Sequence, residues 1–314
     1  MPMYKPKSEY LIQALDSLFA QTETDWECIM HNQPWDGDVK GSIAEYLKDP
    51  RVKFVQGTQL RTIGENWNAC LPFATSPYLA YLFYDDLWEP EYLTTLCGVL
   101  DAHPSVGFAS ANRGYLFMGE GSHDATYDEV TEAVALLRPG LYQGQQFLLE
   151  WMTRGLRPNI IGEPSFVLLR RSVVDDAGAF HPTMAQGLDY EYWTRCLAKS
   201  DWYFEPRVLG KFRVHAAGTS ALNAAARKGI YDRLEIMENV LVLVPPKDRR
   251  AAKAGLRHML AAMIRKYMHR WKRARTGLQT QGGGGSAAVK KFAMRHPIIM
   301  VGAMVEAMFR KAKI

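Results

Sequence analysis

Apolar positions along the first half of this chain change period repeatedly. Leu11, Leu15, Leu18 and Phe19 recur at helical spacing behind Ser8, which is placed to cap a helix. Trp26 to His31 then reads as a strand, and Val52 to Gln56 as another. Ile63, Trp67, Cys70, Leu71 and Ala74 mark one face of the next helix. Tyr78 to Phe83 is a continuous apolar run, followed by a helix carrying Leu93, Leu96, Val99 and Leu100, then a strand over Val106 to Ser110. Short apolar runs alternating with helices predict an α/β fold: a mostly parallel sheet flanked by helices on both faces. Such a sheet should begin with a strand, yet the chain opens on Pro2-Met3-Tyr4-Lys5 and a helix. The first strand is therefore expected to be absent, or the chain to start inside it.

The pattern weakens between Asn112 and Pro139, which reads as a variable excursion. It resumes with a helix near Gln143 to Thr153, a loop at Pro158 to Pro164, a strand at Phe166 to Leu169, a helix holding Asp189 to Leu197, and an extended stretch from Val208 to His215. After Pro245-Pro246 the composition changes. The expected division is a catalytic unit over 1–245, a basic helical segment over 246–280, a Gly/Ser linker over 281–286 and a short amphipathic helical tail over 287–314.

Charge sharpens that boundary. From Lys247 onward 17 Lys and Arg face two acids, Asp248 and Glu306, leaving 21 basic and 31 acidic residues before it. The body carries about −10 and the tail about +15, so the net +5 conceals two parts with different tasks. Cys28, Cys70, Cys97 and Cys196 lie far apart in apolar stretches, without ligand spacing, and read as buried free thiols of a reducing cytoplasm. The polar start from Met1 to Ser8 does not read as a signal peptide, so none is expected, and no apolar run reaches the 18 or so residues of a spanning helix.

Two adjacent acids, Asp85 and Asp86, emerge directly from the run Tyr81-Leu82-Phe83-Tyr84. Ligands of open α/β sheets sit outside the carboxyl ends of the strands. A hard divalent ion such as Mn²⁺ or Mg²⁺ takes one or two carboxylates plus substrate phosphates in such a place. Read alone, the pair also fits a solvated turn ahead of a helix that Pro90 helps to start.

The order of short motifs decides between these. Pro2-Met3-Tyr4, Leu11-xx-Ala14-Leu15-x-Ser17-Leu18-xx-Gln21 and Asp25-Trp26-Glu27 resemble the opening of family-2 (GT-A fold) glycosyltransferases. The resemblance continues through Asn66-x-Asn68, Asp85-Asp86-x-Trp88-x-Pro90, Gly162-x-Pro164-Ser165, Arg170-Arg171, Gly178-x-Phe180, Asp189-Tyr190-x-x-Trp193-x-Arg195 and Arg213-Val214-His215 with Ser220.

What the resemblance implies is an inverting transfer of a sugar from a nucleotide-diphosphate donor, a UDP-sugar, to a glycan or lipid-linked glycan. Asp86 would bind the metal bridging the diphosphate, and Asp85 would contact the ribose or support the metal. Tyr84 fills the first position of the usual Asp-x-Asp triplet, so one carboxylate carries more of the metal binding. His215 would ligate the metal or contact the diphosphate, and Arg213 would contact the diphosphate or form a salt bridge. Asn66 joins the donor site. Asp189 would take the acceptor's proton, with a helix N-cap as its structural alternative and Glu191 as a weaker base candidate. Trp193 reads as core packing or a sugar platform, and Gly162 to Ser165 as a wall near donor sugar and acceptor. In the base pocket the family's acidic run is replaced by His31-Asn32-Gln33-Pro34-Trp35-Asp36, where Asn32 and Asp36 remain able to bond a uracil or thymine edge.

For the basic segment, an anionic membrane surface and the acidic surface of the body are both suitable partners. Nucleic acid is disfavoured because no recognition motif accompanies the charge. The expected location is cytoplasmic, peripheral on the inner membrane face. The competing reading is a transferase-like scaffold, catalytically impaired, that binds a membrane or glycan-assembly partners through its tail.

Overall fold

The computed structural model describes residues 1–119, 125–215, 218, 223, 229–274 and 286–309. Ser220, Arg275 and the glycines of the expected linker lie outside the described residues.

Strand β1 (Pro2–Met3) runs parallel to β2 (Cys28–Asn32), which is parallel to β3 (Val52–Gln56). The first strand thus exists as a two-residue piece. Helix α1 (Ser8–Phe19) buries Leu11, Ala14, Leu15 and Leu18, the positions its period marks. Lys7 rather than Ser8 occupies the cap position, and the helix starts without a side-chain cap. Helix α2 (Ile63–Asn68) is fastened by a capping box between Thr62 and Glu65.

The second sheet has the order β4-β8-β6-β9-β5, with β7 also on β9. Its strands are β4 (Tyr78–Ala80), β5 (Leu87–Trp88), β6 (Val106–Met118), β7 (Gly140–Tyr142), β8 (Val167–Arg170) and β9 (Asp201–His215). The long pair β6/β9 is parallel, while β4/β8, β6/β8, β5/β9 and β7/β9 are antiparallel. The expected parallel pairing therefore holds in the first sheet and at the centre of the second, and antiparallel partners from distant parts of the chain supply the rest.

The stretch from Asn112, read as an excursion, continues β6 to Met118, because β9 pairs with it up to Met118↔His215. β8 pairs with β6 only at Phe108 to Ser110, so beyond Asn112 the strand is held by β9 alone, a distant partner that periodicity does not reveal. Helix α4 (Ala125–Ala135) follows, after α3 (Tyr92–Ala102) on the other side of the strand. Helices α5 (Gly144–Thr153), α6 (Arg171–Ala177) and α7 (Leu188–Lys199) complete the layer around Phe147, Trp151, Phe166, Phe180, Trp193 and Trp202.

β1 and β4 are the facing edges of the two sheets, and no ladder joins them. Side chains do: Met1, Met3, Leu82 and Leu168 share one apolar cluster. Between them lies a cavity of about 360 Å³ lined by Met1, Cys28, Ile29, Leu79, Leu82 and Leu168.

Helix α8 (Gly229–Leu243) leads to the basic helix α9 (Arg249–Ala274), then α10 (Ser286–Arg295) and α11 (Pro297–Phe309). Ala252, Leu256, Met259 and Leu260 of α9 are buried in the same core as Trp151 and Met152. Gly255 lies against the backbone of Met152 and Thr153, where a Cβ would meet the Met152 carbonyl oxygen at 2.7 Å. The basic segment is thus packed on the body by an apolar face its charges conceal. All four cysteines are free thiols.

Candidate active site

The carboxyl end of β4 opens into a turn, with Asp86 N–H bonded to the Phe83 carbonyl at 3.1 Å. That turn sends Asp85 and Asp86 to different surroundings. Asp86 is fully buried; Oδ2 accepts from Ser165 Oγ at 2.6 Å and Oδ1 from the Arg213 backbone N–H at 3.1 Å. Burial, reinforced by the neighbouring Asp85 charge, pushes its carboxyl well above the usual range. Asp85 is only partly covered, and its Oδ2 lies 3.1 Å from His215 Nε2 at the end of β9. Burial also raises the Tyr84 phenol, with Asp85 next in effect.

Arg213 braces this corner. Its Nε donates to the Asp85 carbonyl at 2.8 Å, Nη2 donates to Gln13 Oε1 at 2.6 Å, and the guanidinium lies 4.1 Å from the Tyr10 ring centroid. Tyr10 also packs on the His215 ring at 5.6 Å. His215 is buried, and among the described residues its Nδ1 has no hydrogen-bond partner. A carboxylate and an imidazole side by side, one ring nitrogen unsatisfied, are a donor set that suits Mn²⁺. Among the described residues no cluster of three or more His, Cys, Asp or Glu forms a complete metal cage. An ion here would rely on further oxygens, as phosphate-bound divalent ions do.

A second set of groups gathers around the turn before β8. Gly162 has φ +115°, a conformation that favours glycine, and a Cβ there would press on Arg113 Nη1 at 3.4 Å. Arg113, buried within β6, pairs with Glu163 at 2.9 Å and donates to the Asn159 carbonyl at 3.1 Å. The Asn159 side chain accepts from Gly162 N–H at 3.1 Å and donates to Asp189 Oδ2 at 2.6 Å.

Asp189 lies inside the first turn of α7, where Gly187 occupies the cap position, so the alternative of a simple N-cap does not hold. Its carboxyl is pushed up to about 7, first by burial and then by the Glu163 charge. The same Glu163 charge raises Asp86. Glu163 therefore sits electrostatically between the two acid centres.

The base-pocket candidates separate. Asn32 Nδ2 donates to Gln56 Oε1 at 3.0 Å, while its side-chain Oδ1 is buried without a hydrogen-bond partner among the described residues. Asn66 Oδ1 lies 3.0 Å from His31 Nδ1, and burial lowers the pKa of that imidazole. Asp36 is exposed in the loop that follows. Glu191 is buried in a 2.7 Å ion pair with Arg195, which removes it as a proton acceptor. Trp193 is fully buried, donates to the Gly162 carbonyl at 2.9 Å and stacks on Phe108, so it packs rather than presents a platform.

Residues 1–148, which hold Asp85 and Asp86, match the family model described as glycosyl transferase family 2. Residues 1–148 are thus similar to family 2 glycosyltransferases. An uncharacterised protein of Mycobacterium tuberculosis (strain CDC 1551 / Oshkosh) is 28% identical over 254 residues, 80% of this chain and 78% of its own length. An uncharacterised protein of Sinorhizobium fredii (strain NBRC 101917 / NGR234) is 24% identical over 72% of this chain, which spans only 23% of that relative.

Solved structures share the fold of this chain. S. aureus TarS 1-349 in complex with UDP-GlcNAc has a TM-score of 0.61 at 14% identity, over 82% of this chain and 70% of that one. The mannosyltransferase PcManGT of Pyrobaculum calidifontis, in complex with GDP-Man and Mn²⁺, has a TM-score of 0.60 at 16% identity, over 99% and 86%. This chain spans 42% of the longer TarS chain. These likenesses establish a GT-A fold for this chain.

Sequence reasoning did not find Arg113, Asn159, Gln13 or Tyr10. Arg113 carried a usable signal, a cation between the apolar run Val106 to Ala111 and Tyr115-Leu116-Phe117. A charge in such a strand is buried only with a partner.

Proposed function

We propose that this chain transfers a sugar from a nucleoside-diphosphate donor, a UDP-sugar, to a hydroxyl of a glycan or lipid-linked glycan with inversion, assisted by Mn²⁺ or Mg²⁺. The observation that carries the reading is Asp189: a carboxylate raised to about 7 and held by Asn159, with Glu163 linking it to the Asp85–Asp86 turn. A base is most effective when its pKa lies near the working pH.

The acceptor hydroxyl gives its proton to Asp189 as its oxygen bonds to the anomeric carbon and the bond to the diphosphate breaks. Asn159 leaves one Asp189 oxygen occupied and orients the carboxylate for this. Asp85 and His215 would hold the ion, in place of the Asp86 expected from the motif, because both Asp86 oxygens already accept hydrogen bonds in a buried site. When bound, the ion offsets charge on the departing diphosphate. Asp86 then serves as the post that fixes the turn, and Arg213 clamps the Asp85 backbone beside it. Asn32, with its unsatisfied side-chain Oδ1, and Asn66 are the candidates for the nucleoside. The complexes of fold neighbours with UDP-GlcNAc, and with GDP-Man and Mn²⁺, support a nucleotide-sugar donor and a divalent ion.

The test is calorimetry with UDP and Mn²⁺, followed by donor hydrolysis and transfer. Neither UDP binding nor turnover, in wild type and Asp189→Asn alike, would sink the reading and favour the scaffold.

A further inference from the structure

Helix α11 has two apolar faces. Met300, Ala303 and Ala307 are buried, toward α9. Ile298, Val301, Met304, Val305, Met308 and Phe309 point outward, with Ile298 86% and Phe309 81% exposed. At 3.6 residues per turn these six side chains span an arc of roughly 140°. Exposed apolar residues scattered singly need no explanation, but a continuous stripe of six does.

The helix is too short for a spanning role: it has 13 residues where a bilayer needs about 20. Among the described residues no helix is long and apolar enough to cross a membrane. An apolar face on a short helix finds its partner instead at the boundary between headgroups and acyl chains.

Charge selects the kind of surface. Lys290, Lys291 and Arg295 precede the stripe, and Arg310, Lys311 and Lys313 follow it in the sequence. The single acid of the helix, Glu306, faces inward to Arg257 at 3.3 Å and His258 at 2.7 Å. Cations at both ends and an inward-turned acid are complementary to anionic phospholipid. By contrast, the apolar face of the more basic α9 is already used against the body.

We propose that the outer face of α11 lies on an anionic phospholipid surface, with Ile298, Val301, Val305, Met308 and Phe309 entering the acyl boundary and Lys290 and Lys291 engaging headgroups. The basic helix α9 is then a rigid bracket that carries α11, rather than the inserting element.

Co-sedimentation of the full chain with vesicles of phosphatidylcholine and phosphatidylglycerol tests this. Binding to vesicles rich in phosphatidylglycerol is expected, weakening with pure phosphatidylcholine and in 0.5 M salt. The double substitution Ile298→Asp/Met308→Asp should lower partitioning by about 100-fold, since each buried side chain contributes about tenfold. Leu136→Asp, at an exposed apolar position elsewhere, should leave it unchanged. UDP binding, measured in parallel, should be the same in all three proteins, which separates this outcome from the fate of the transferase reading. Vesicle binding equal in wild type and the double variant would overturn the proposal. So would a self-association that the double variant abolishes without any lipid binding by wild type, since the stripe would then be a contact between copies.

Discussion

Ser165 Oγ donates to Asp86 Oδ2 at 2.6 Å and at the same time accepts from the Phe83 N–H at 3.1 Å, so one hydroxyl ties the turn after β4 to the turn before β8. The Ser165 carbonyl takes the Trp88 indole N–H as well. Replacing Ser165 by Ala leaves a buried carboxylate oxygen and a backbone N–H short of a partner. A loss of about 1–3 kcal/mol in stability is expected, read by chemical denaturation. An unchanged midpoint would mean that water replaces the hydroxyl.

Asp85 and Asp86 should behave differently when removed. Asp85→Ala and His215→Ala are expected to weaken Mn²⁺ binding in the presence of UDP at least tenfold and to lower transfer about 100-fold. Asp86→Ala should chiefly lower thermal stability. Electron paramagnetic resonance of Mn²⁺ distinguishes the cases; loss of the bound-ion signal only in Asp86→Ala would reverse the assignment.

Transfer should rise with pH through about 7, because the base works only when deprotonated and its pKa lies there. Stability runs the other way. The folded pKa of Asp189 exceeds its unfolded value, so folding favours the protonated form. That contribution is present below about pH 4 and is lost as pH rises through 7. Asp189→Asn should therefore abolish transfer yet be more stable than wild type at pH 8, by about 1–2 kcal/mol after allowance for its partial exposure, read by chemical denaturation.

The Arg113–Glu163 pair offers a check on the same group. Glu163→Gln removes a negative charge that raises Asp189, so the acidic limb of the pH profile should move down. Arg113→Met removes a cation that lowers Asp189, and the limb should move up. The second variant also loses about 3 kcal/mol, as expected when one partner of a buried pair is removed. Limbs that stay in place in both variants would show that Asp189 is not the titrating base.

How much of this was legible in the sequence follows from range. Helices α1 and α7 and strand β3 are local, and their apolar periods located them within a few residues. The extension of β6 to Met118 was hidden because a partner 100 residues away, β9, decides it. The acidic pair was visible as a pair. Which acid is buried was not, since that depends on Ser165 and Arg213 arriving from distant strands. The tail read as a charged surface because Ala, Leu and Met at its packed positions are thinly spaced among 17 basic residues.

The unladdered boundary between β1 and β4 has a mechanical meaning. His31 and Asn32 belong to the small sheet, Asp85 and His215 to the large one, and among the described residues no ladder joins the two sheets, which share an apolar cluster. A nucleoside diphosphate held at both ends would act as a tie rod across that boundary, lending the small sheet a rigidity its own backbone lacks. Amide exchange at 28–32 and 52–56 should slow when UDP and Mn²⁺ are added, while the β6/β9 centre, already locked by its long ladder, should change little.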